Sequence, residues 1–196
     1  LSEEGNVIEA SADTENIEET VAGVLEEADP VSPLAREARA NKTVVICAGH
    51  DATHTGASGN GLKEEELTFK VAQYCKQALE QYQGVTVYMD RDSISCKYPG
   101  QSTSYCLNQR IKDAAALGAT VFVDIHFNTG GGTGAEVYYP NKSYNEGIHQ
   151  DGQKLANKIL SELSALGLRN RGAKIKDGTT GETDPNGNKD DYFTTN

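Results

Sequence analysis

Hydrophobic positions along the chain alternate between short β-type runs and longer stretches with helical spacing. Residues 43–47, Thr-Val-Val-Ile-Cys, form an apolar run that breaks at Ala48-Gly49 onto His50. A polar, glycine-rich loop follows, and Glu64-Glu65-Glu66 opens a helix. In it Leu67, Val71, Tyr74, Cys75, Ala78, Leu79 and Tyr82 keep the spacing of one buried face until Gly84 stops it. A strand over 85–89 ends in Asp90-Arg91-Asp92, and residues 93–104 are polar and irregular. A second helix, 105–117, turns Leu107, Ile111, Ala114 and Ala115 inward and closes on Gly118. A strand over 120–125, a glycine loop at 130–134 and a strand over 135–139 come next. A third helix, about 147–166, spaces Ile148, Leu155, Ile159, Leu163 and Leu166 on one face. Residues 177–196, rich in Gly, Thr, Asn and Asp, read as a surface loop. Strands separated by helices predict an α/β fold, a mixed, largely parallel twisted sheet flanked by helices.

The first forty residues stand apart. They hold eleven Asp/Glu against Arg36 and Arg39, so they carry −9 of the formal −11 and leave −2 for the rest. Ile17, Val21, Val24 and Leu25 share one helical face, and Pro30 and Pro33 end that helix. This 1–40 segment reads either as a solvated acidic extension or as an amphipathic helix docked on the body as a lid. The body, 41–196, is nearly neutral, which argues against nucleic acid as a partner. No apolar run approaches the ~18 residues of a membrane span, and a monomer is expected. The chain opens on Leu1 and closes in a polar stretch, so a longer reading frame is expected.

The candidate chemistry sits at two strand ends. His50 and His126 each follow an apolar run, and ligands of open α/β sheets bind at the carboxyl ends of strands. Two such histidines with a carboxylate from the 64–66 helix start make the ligand set of an open zinc site. Successive helical residues point about 100° apart, so only one of the three glutamates can face the metal. His54 and His149 lie in polar surroundings and read as solvent-facing, with His54 the weaker alternative ligand. Of the four cysteines, Cys47 and Cys75 read as buried. Cys96 and Cys106 bracket the polar loop as a pair for a local disulfide, which fits an exported protein.

These residues resemble a known family, the zinc-dependent N-acetylmuramoyl-L-alanine amidases (amidase type 3) of bacterial cell walls. Ala48-Gly49-His50 resembles the motif Asp-Ala/Pro-Gly-His-Gly, and residues 58–72 resemble its Gly-x-x-Glu-x-x-x-x-Leu helix entry. Asp90-Arg91-Asp92 is similar in part to Thr-Arg-x-x-Asp, and residues 124–128 are similar to Ser-Ile-His-x-Asn. Residues 134–139 and Arg171-Gly172-Ala173 match the later Gly-x-x-x-Tyr-Tyr strand and Arg-Gly turn. The resemblance implies Zn²⁺ held by His50, Glu64 and His126. It puts Asn128 and Arg91 at the substrate, with Arg91 in a structural or substrate-edge role. The substrate it implies is peptidoglycan, cut between N-acetylmuramic acid and L-alanine, at an extracellular or cell-envelope location.

The departures are informative. Cys47 stands where the family has Asp, Asp51 where it has Gly, and Asp124 where it has Ser. Asp124 and His126 share one strand face, so Asp124 is a candidate partner of that histidine. The family's catalytic glutamate lies on a last strand, and nothing after Arg171 resembles it. Glu182 sits in a polar loop, and Glu136 is a poor substitute base. Residues 41–196 are therefore expected to be an amidase domain lacking its C-terminal strand and helix. Two other readings stay open: a non-catalytic wall-binding module, and a zinc carboxypeptidase acting on stem peptides.

Overall fold

The structure is a computed structural model that describes residues 41–127, 132–141 and 146–177. The acidic 1–40 segment, Asn128 and Glu182 lie outside the described residues. Strand β1 (Lys42–Ala48) is the centre of a three-stranded parallel sheet, between β4 (Val85–Met89) and β5 (Val121–Ile125). Val44 to Ala48 are all buried, the unbroken apolar run expected of a parallel strand covered on both faces. Ile46 lies opposite Met89 on one side and Val123 on the other. This register brings the carboxyl ends of β1 and β5 side by side. Gly49 N–H donates to Ile125 C=O at 2.9 Å, carrying the ladder one step past β1.

The loop after His50 contains order that the hydrophobic pattern does not reveal. Strands β2 (Ser58–Gly59) and β3 (Leu62–Lys63) form a small antiparallel hairpin. Its Asn60-Gly61 turn has φ of 50° and 76°, the left-handed pair that a two-residue hairpin requires. The hairpin feeds directly into helix α1 (Glu64–Leu79) and so brings the start of that helix back beside His50.

The buried face of α1 differs from the sequence expectation. Glu64, Glu65, Thr68 and Ala72 are buried, whereas Val71 and Tyr82 are exposed. Phe69, Cys75 and Leu79 still pack on the sheet core of Val44, Ile46, Ala48 and Val87. The helix is rotated because its acidic first turn enters the site, where the carboxylates find backbone donors. Helix α2 (Thr103–Ala116) shows the same displacement. Its inward residues are Cys106, Arg110 and Ala114, and Ile111 is exposed. Ser102 caps it by accepting from Tyr105 N–H at 3.2 Å, and Gly118 ends it at φ 69°.

The remaining strands form a second parallel ladder. Strand β6 (Ala135–Tyr138) pairs with β7 (Asn170–Lys174), joined through helix α3 (Glu146–Ala165). Strand β7 was not expected, since residues 170–174 read as an Arg-Gly turn. Helix α3 buries His149, Ala156 and Leu160 and exposes Ile148 and Leu155, one position off the predicted face. No described helix is long and apolar enough to cross a membrane.

Candidate metal centre

Three side chains from three elements converge at the carboxyl edge of the sheet. His50 follows β1, Glu64 begins α1, and His126 follows β5. His50 Nε2 lies 3.5 Å from Glu64 Oε1, and His126 Nδ1 lies 3.3 Å from the same oxygen. The imidazole rings meet edge-on with centroids 4.9 Å apart. One ligand atom from each residue lies within 4.8 Å of the other two. Metal–ligand bonds of about 2.0–2.1 Å at tetrahedral angles separate neighbouring ligands by about 3.3 Å. The spacing observed is that of a set ready to close on one cation.

Each of the three side chains is held from behind. Glu64 Oε1 accepts from Phe127 N–H at 2.7 Å, and Oε2 accepts from Ala57 N–H at 2.9 Å. His50 Nδ1 donates to the His54 carbonyl at 3.3 Å, which leaves Nε2 for the centre. His50 sits at φ 60°, a left-handed conformation that costs a non-glycine residue energy and is commonly kept at functional sites. On the far side of His126, Nε2 lies 3.3 Å from Asp124 Oδ2. Burial lowers the proton affinity of His126, but Asp124 and Glu64 outweigh it, and its pKa is raised.

Two glycines make room. A Cβ on Gly49 would stand 2.5 Å from Ile125 O and 2.6 Å from the His126 ring. A Cβ on Gly56 would stand 2.6 Å from both Glu64 Oε2 and His50 Cδ2. The sheet backbone and the His126 ring fill the space at Gly49, and the Glu64 and His50 side chains fill it at Gly56.

Below the ligands lies a charged layer that sequence reasoning missed. Arg110 donates to Asp51 Oδ2 at 3.0 Å and approaches Asp90 Oδ2 at 3.3 Å, with all three side chains buried. Asp51 also accepts from Thr53 N–H at 2.9 Å and His54 N–H at 2.8 Å. Burial raises its pKa, and these N–H donors together with His54 outweigh it, so the carboxyl stays below its usual value. The signal for Arg110 was an arginine on the apolar side of a helix, where hydrophobic counting gives it no weight.

Several expected roles change. Of the two roles expected for Arg91, its contacts are those of the structural one. It is buried over the Phe69 ring and donates to the carbonyls of Ala48, Glu65 and Ser93, so it holds the fold. Glu136 lies on β6, 2.6 Å from Lys174 Nζ and 3.3 Å from Arg171, an ion pair rather than a base at the centre. Glu65 is buried beside Glu64, accepting from Gly56 N–H at 3.3 Å, while Glu66 is exposed and pairs with Lys63. His54 is not solvent-facing: it is half-buried between Asp51 and the Gln101 carbonyl. His149 is buried and donates to Pro140 O at 2.8 Å. Cys96 and Cys106 are unbonded, with sulfurs 3.7 Å apart, and form a cluster with His54.

A groove lined by Ala57, Gly59, Leu62, Leu67 and Phe127 opens on Glu64. The sequence profile of N-acetylmuramoyl-L-alanine amidases matches residues 44–184. The N-acetylmuramoyl-L-alanine amidase CwlM of Bacillus licheniformis is 36% identical over 138 residues, 67% of this chain and 47% of that protein. Among solved structures, the chain is similar to the catalytic domain of CwlV, an N-acetylmuramoyl-L-alanine amidase from Bacillus (Paenibacillus) polymyxa var. colistinus. That match has TM-score 0.54 and 31% identity, covering 67% of this chain and 68% of the other. Cwp6 from Clostridium difficile matches with TM-score 0.59 and 29% identity, covering 79% of this chain and 22% of that one. The chain spans about half the length of the curated relatives it matches.

Proposed function

The chain belongs to the N-acetylmuramoyl-L-alanine amidase family, and on that premise we propose that it hydrolyses the amide bond between N-acetylmuramic acid and L-alanine in peptidoglycan. The observation that carries this reading is the convergence of His50 Nε2, Glu64 Oε1 and His126 Nδ1 on one point at the sheet edge. The ion suited to two neutral imidazoles and one carboxylate is Zn²⁺. Bound there, it would polarise the amide carbonyl and lower the pKa of water toward ~7.

The protein's own part is positioning. Backbone N–H groups of Ala57 and Phe127 hold the Glu64 carboxylate aimed at the centre. The His54 carbonyl keeps the His50 proton on Nδ1. The groove beside Glu64, with Leu62, Leu67 and Phe127 on its walls, would receive the lactyl and alanyl groups flanking the scissile bond. Asn128, two residues beyond His126, is assigned to substrate contact. Glu136 is given no catalytic role, because its oxygens are engaged by Lys174 and Arg171. The amidase domain would occupy 41–196 behind an acidic 1–40 extension and work outside the cell or in the envelope.

Zinc-supplemented protein incubated with purified cell wall should release free stem peptides bearing an N-terminal L-alanine, read by mass spectrometry. Co-sedimentation with wall but no release would assign a binding module instead. Release of single amino acids would assign a carboxypeptidase.

A further inference from the structure

Cys47 on β1 and Asp124 on β5 are in-register partners across the central sheet. They are also two of the three positions where the chain departs from the motifs it resembles, which carry Asp at the first and Ser at the second. The carboxylate absent from one strand is present on its neighbour, directly opposite. Cys47 is buried, and its thiol is held protonated by burial and by the charges of Asp124 and Asp90. At this register position β1 therefore offers a thiol and β5 a carboxyl group.

The position of Asp124 is specific. Residues 124 and 126 point to one side of the strand, and Asp124 Oδ2 reaches His126 Nε2 at 3.3 Å. The other ring nitrogen, Nδ1, is the one 3.3 Å from Glu64 Oε1. In a neutral imidazole only one nitrogen carries the proton, and the hydrogen bond made by one nitrogen decides which lone pair the other offers. A carboxylate at Nε2 fixes the proton there and turns the Nδ1 lone pair to the centre. The second oxygen, Oδ1, is buried with no hydrogen-bond partner among the described residues. That oxygen is one buried atom of a partly exposed carboxylate, and an unpartnered buried atom calls for an explanation.

We propose that Asp124 is the positioning residue of the metal centre, selecting the His126 tautomer that binds through Nδ1. The proposal rests on the metal-centre reading above. It parallels the His54 carbonyl behind His50, so each imidazole ligand has its rear nitrogen committed to an acceptor.

The test uses the whole chain and zinc itself. Chelator competition should show Asp124→Asn and Asp124→Ala binding zinc about 10–100-fold more weakly than wild type, the range found for groups that orient a ligand. Nitrogen-15 NMR of the zinc-loaded wild type should place the His126 proton on Nε2, with a resonance displaced in Asp124→Asn. A merely structural Asp124 would leave that tautomer signature in place. If Asp124→Ala does not fold, the near-isosteric Asp124→Asn decides the matter. Zinc affinity within about twofold of wild type, or an unchanged His126 signature, would overturn the proposal. Wall hydrolysis by the wild-type chain is measured separately, so loss of this inference and loss of the amidase reading are distinguishable.

Discussion

Arg110 Nη2 donates to Asp51 Oδ2 at 3.0 Å, and both side chains are buried, Asp51 completely. The pair supports the centre from below. Asp51 gathers the N–H groups of Thr53 and His54, and the carbonyl of His54 then accepts a hydrogen bond from His50 Nδ1. Removing the arginine leaves Asp51 and Asp90 buried with their cation gone, a loss that typically costs on the order of 3–5 kcal/mol. Arg110→Leu should therefore unfold at markedly lower urea than wild type. An unchanged midpoint would mean that the pair does not hold the fold.

The ligand set makes a direct prediction for metal content. Glu64→Gln and His126→Ala should each lose zinc from one equivalent per chain to near none, by elemental analysis after desalting. Glu66→Gln should keep it, since Glu66 is exposed and pairs with Lys63. Full occupancy in the first two variants would refute the centre.

Gly56 tests the packing around those ligands rather than their chemistry. A methyl group there meets Glu64 Oε2 and His50 Cδ2, both at 2.6 Å, so one ligand must move. Gly56→Ala should weaken zinc by about tenfold, the lower end of what misplaced ligands lose. Its fold should persist, because the atoms in its way are side chains. Gly49→Ala meets the Ile125 carbonyl at 2.5 Å and should damage the sheet itself, which thermal unfolding of the metal-free protein would register.

What the sequence made legible follows from the kind of signal each residue leaves. His50 and His126 were readable because each ends an apolar run in a parallel sheet, and the register of β1 with β5 places them together. Glu64 needed the family pattern to be told from Glu65 and Glu66. The buried polar layer was not legible. Hydrophobic spacing put Ile111 inside α2, whereas the structure buries Arg110, whose partners come from loops far away in the chain. His149 and His54 were misread for the same reason: burial of a polar group depends on partners that spacing does not encode. The β2–β3 hairpin had a local signal in Asn60-Gly61, overlooked because its strands are two residues each. Strand β7 had none, since Asn170–Lys174 is polar and, among the described residues, pairs only with β6.

Acid should loosen the β6–β7 unit first at Glu136. The Lys174 ammonium beside it, aided by Arg171, holds its carboxyl below the usual value despite burial. A carboxyl depressed by folding contributes stability that is present above its unfolded pKa and is lost as pH falls through its folded pKa. Glu136→Gln should thus be less stable than wild type at neutral pH, and the difference should vanish below the glutamate range. A constant difference down to acid pH would mean that the side chain acts by packing rather than charge.

Cys96 and Cys106 provide the last test. Their sulfurs are 3.7 Å apart, both side chains are buried, and the segment between them supplies the Gln101 carbonyl that accepts from His54. We propose that they close into a disulfide when an exported chain meets a disulfide-donating oxidant. Two thiols lose two protons and two electrons, and the donor's disulfide is reduced. Chain entropy for so short a loop gives stabilisation on the order of 3 kcal/mol. The bridge would also tie the 96–106 segment against the loop that orients His50. Burial pushes the Cys96 thiol up to about 11, and the thiolate is the attacking species, so bridging of the reduced protein should accelerate with rising pH. Mass spectrometry of non-reduced digests should find the 96–106 linked peptide, with lower thermal stability after reduction. Thiols that remain alkylatable after oxidant treatment would refute the bridge. Thiols protected without a link, and freed by a chelator, would instead assign the pair and His54 to a metal.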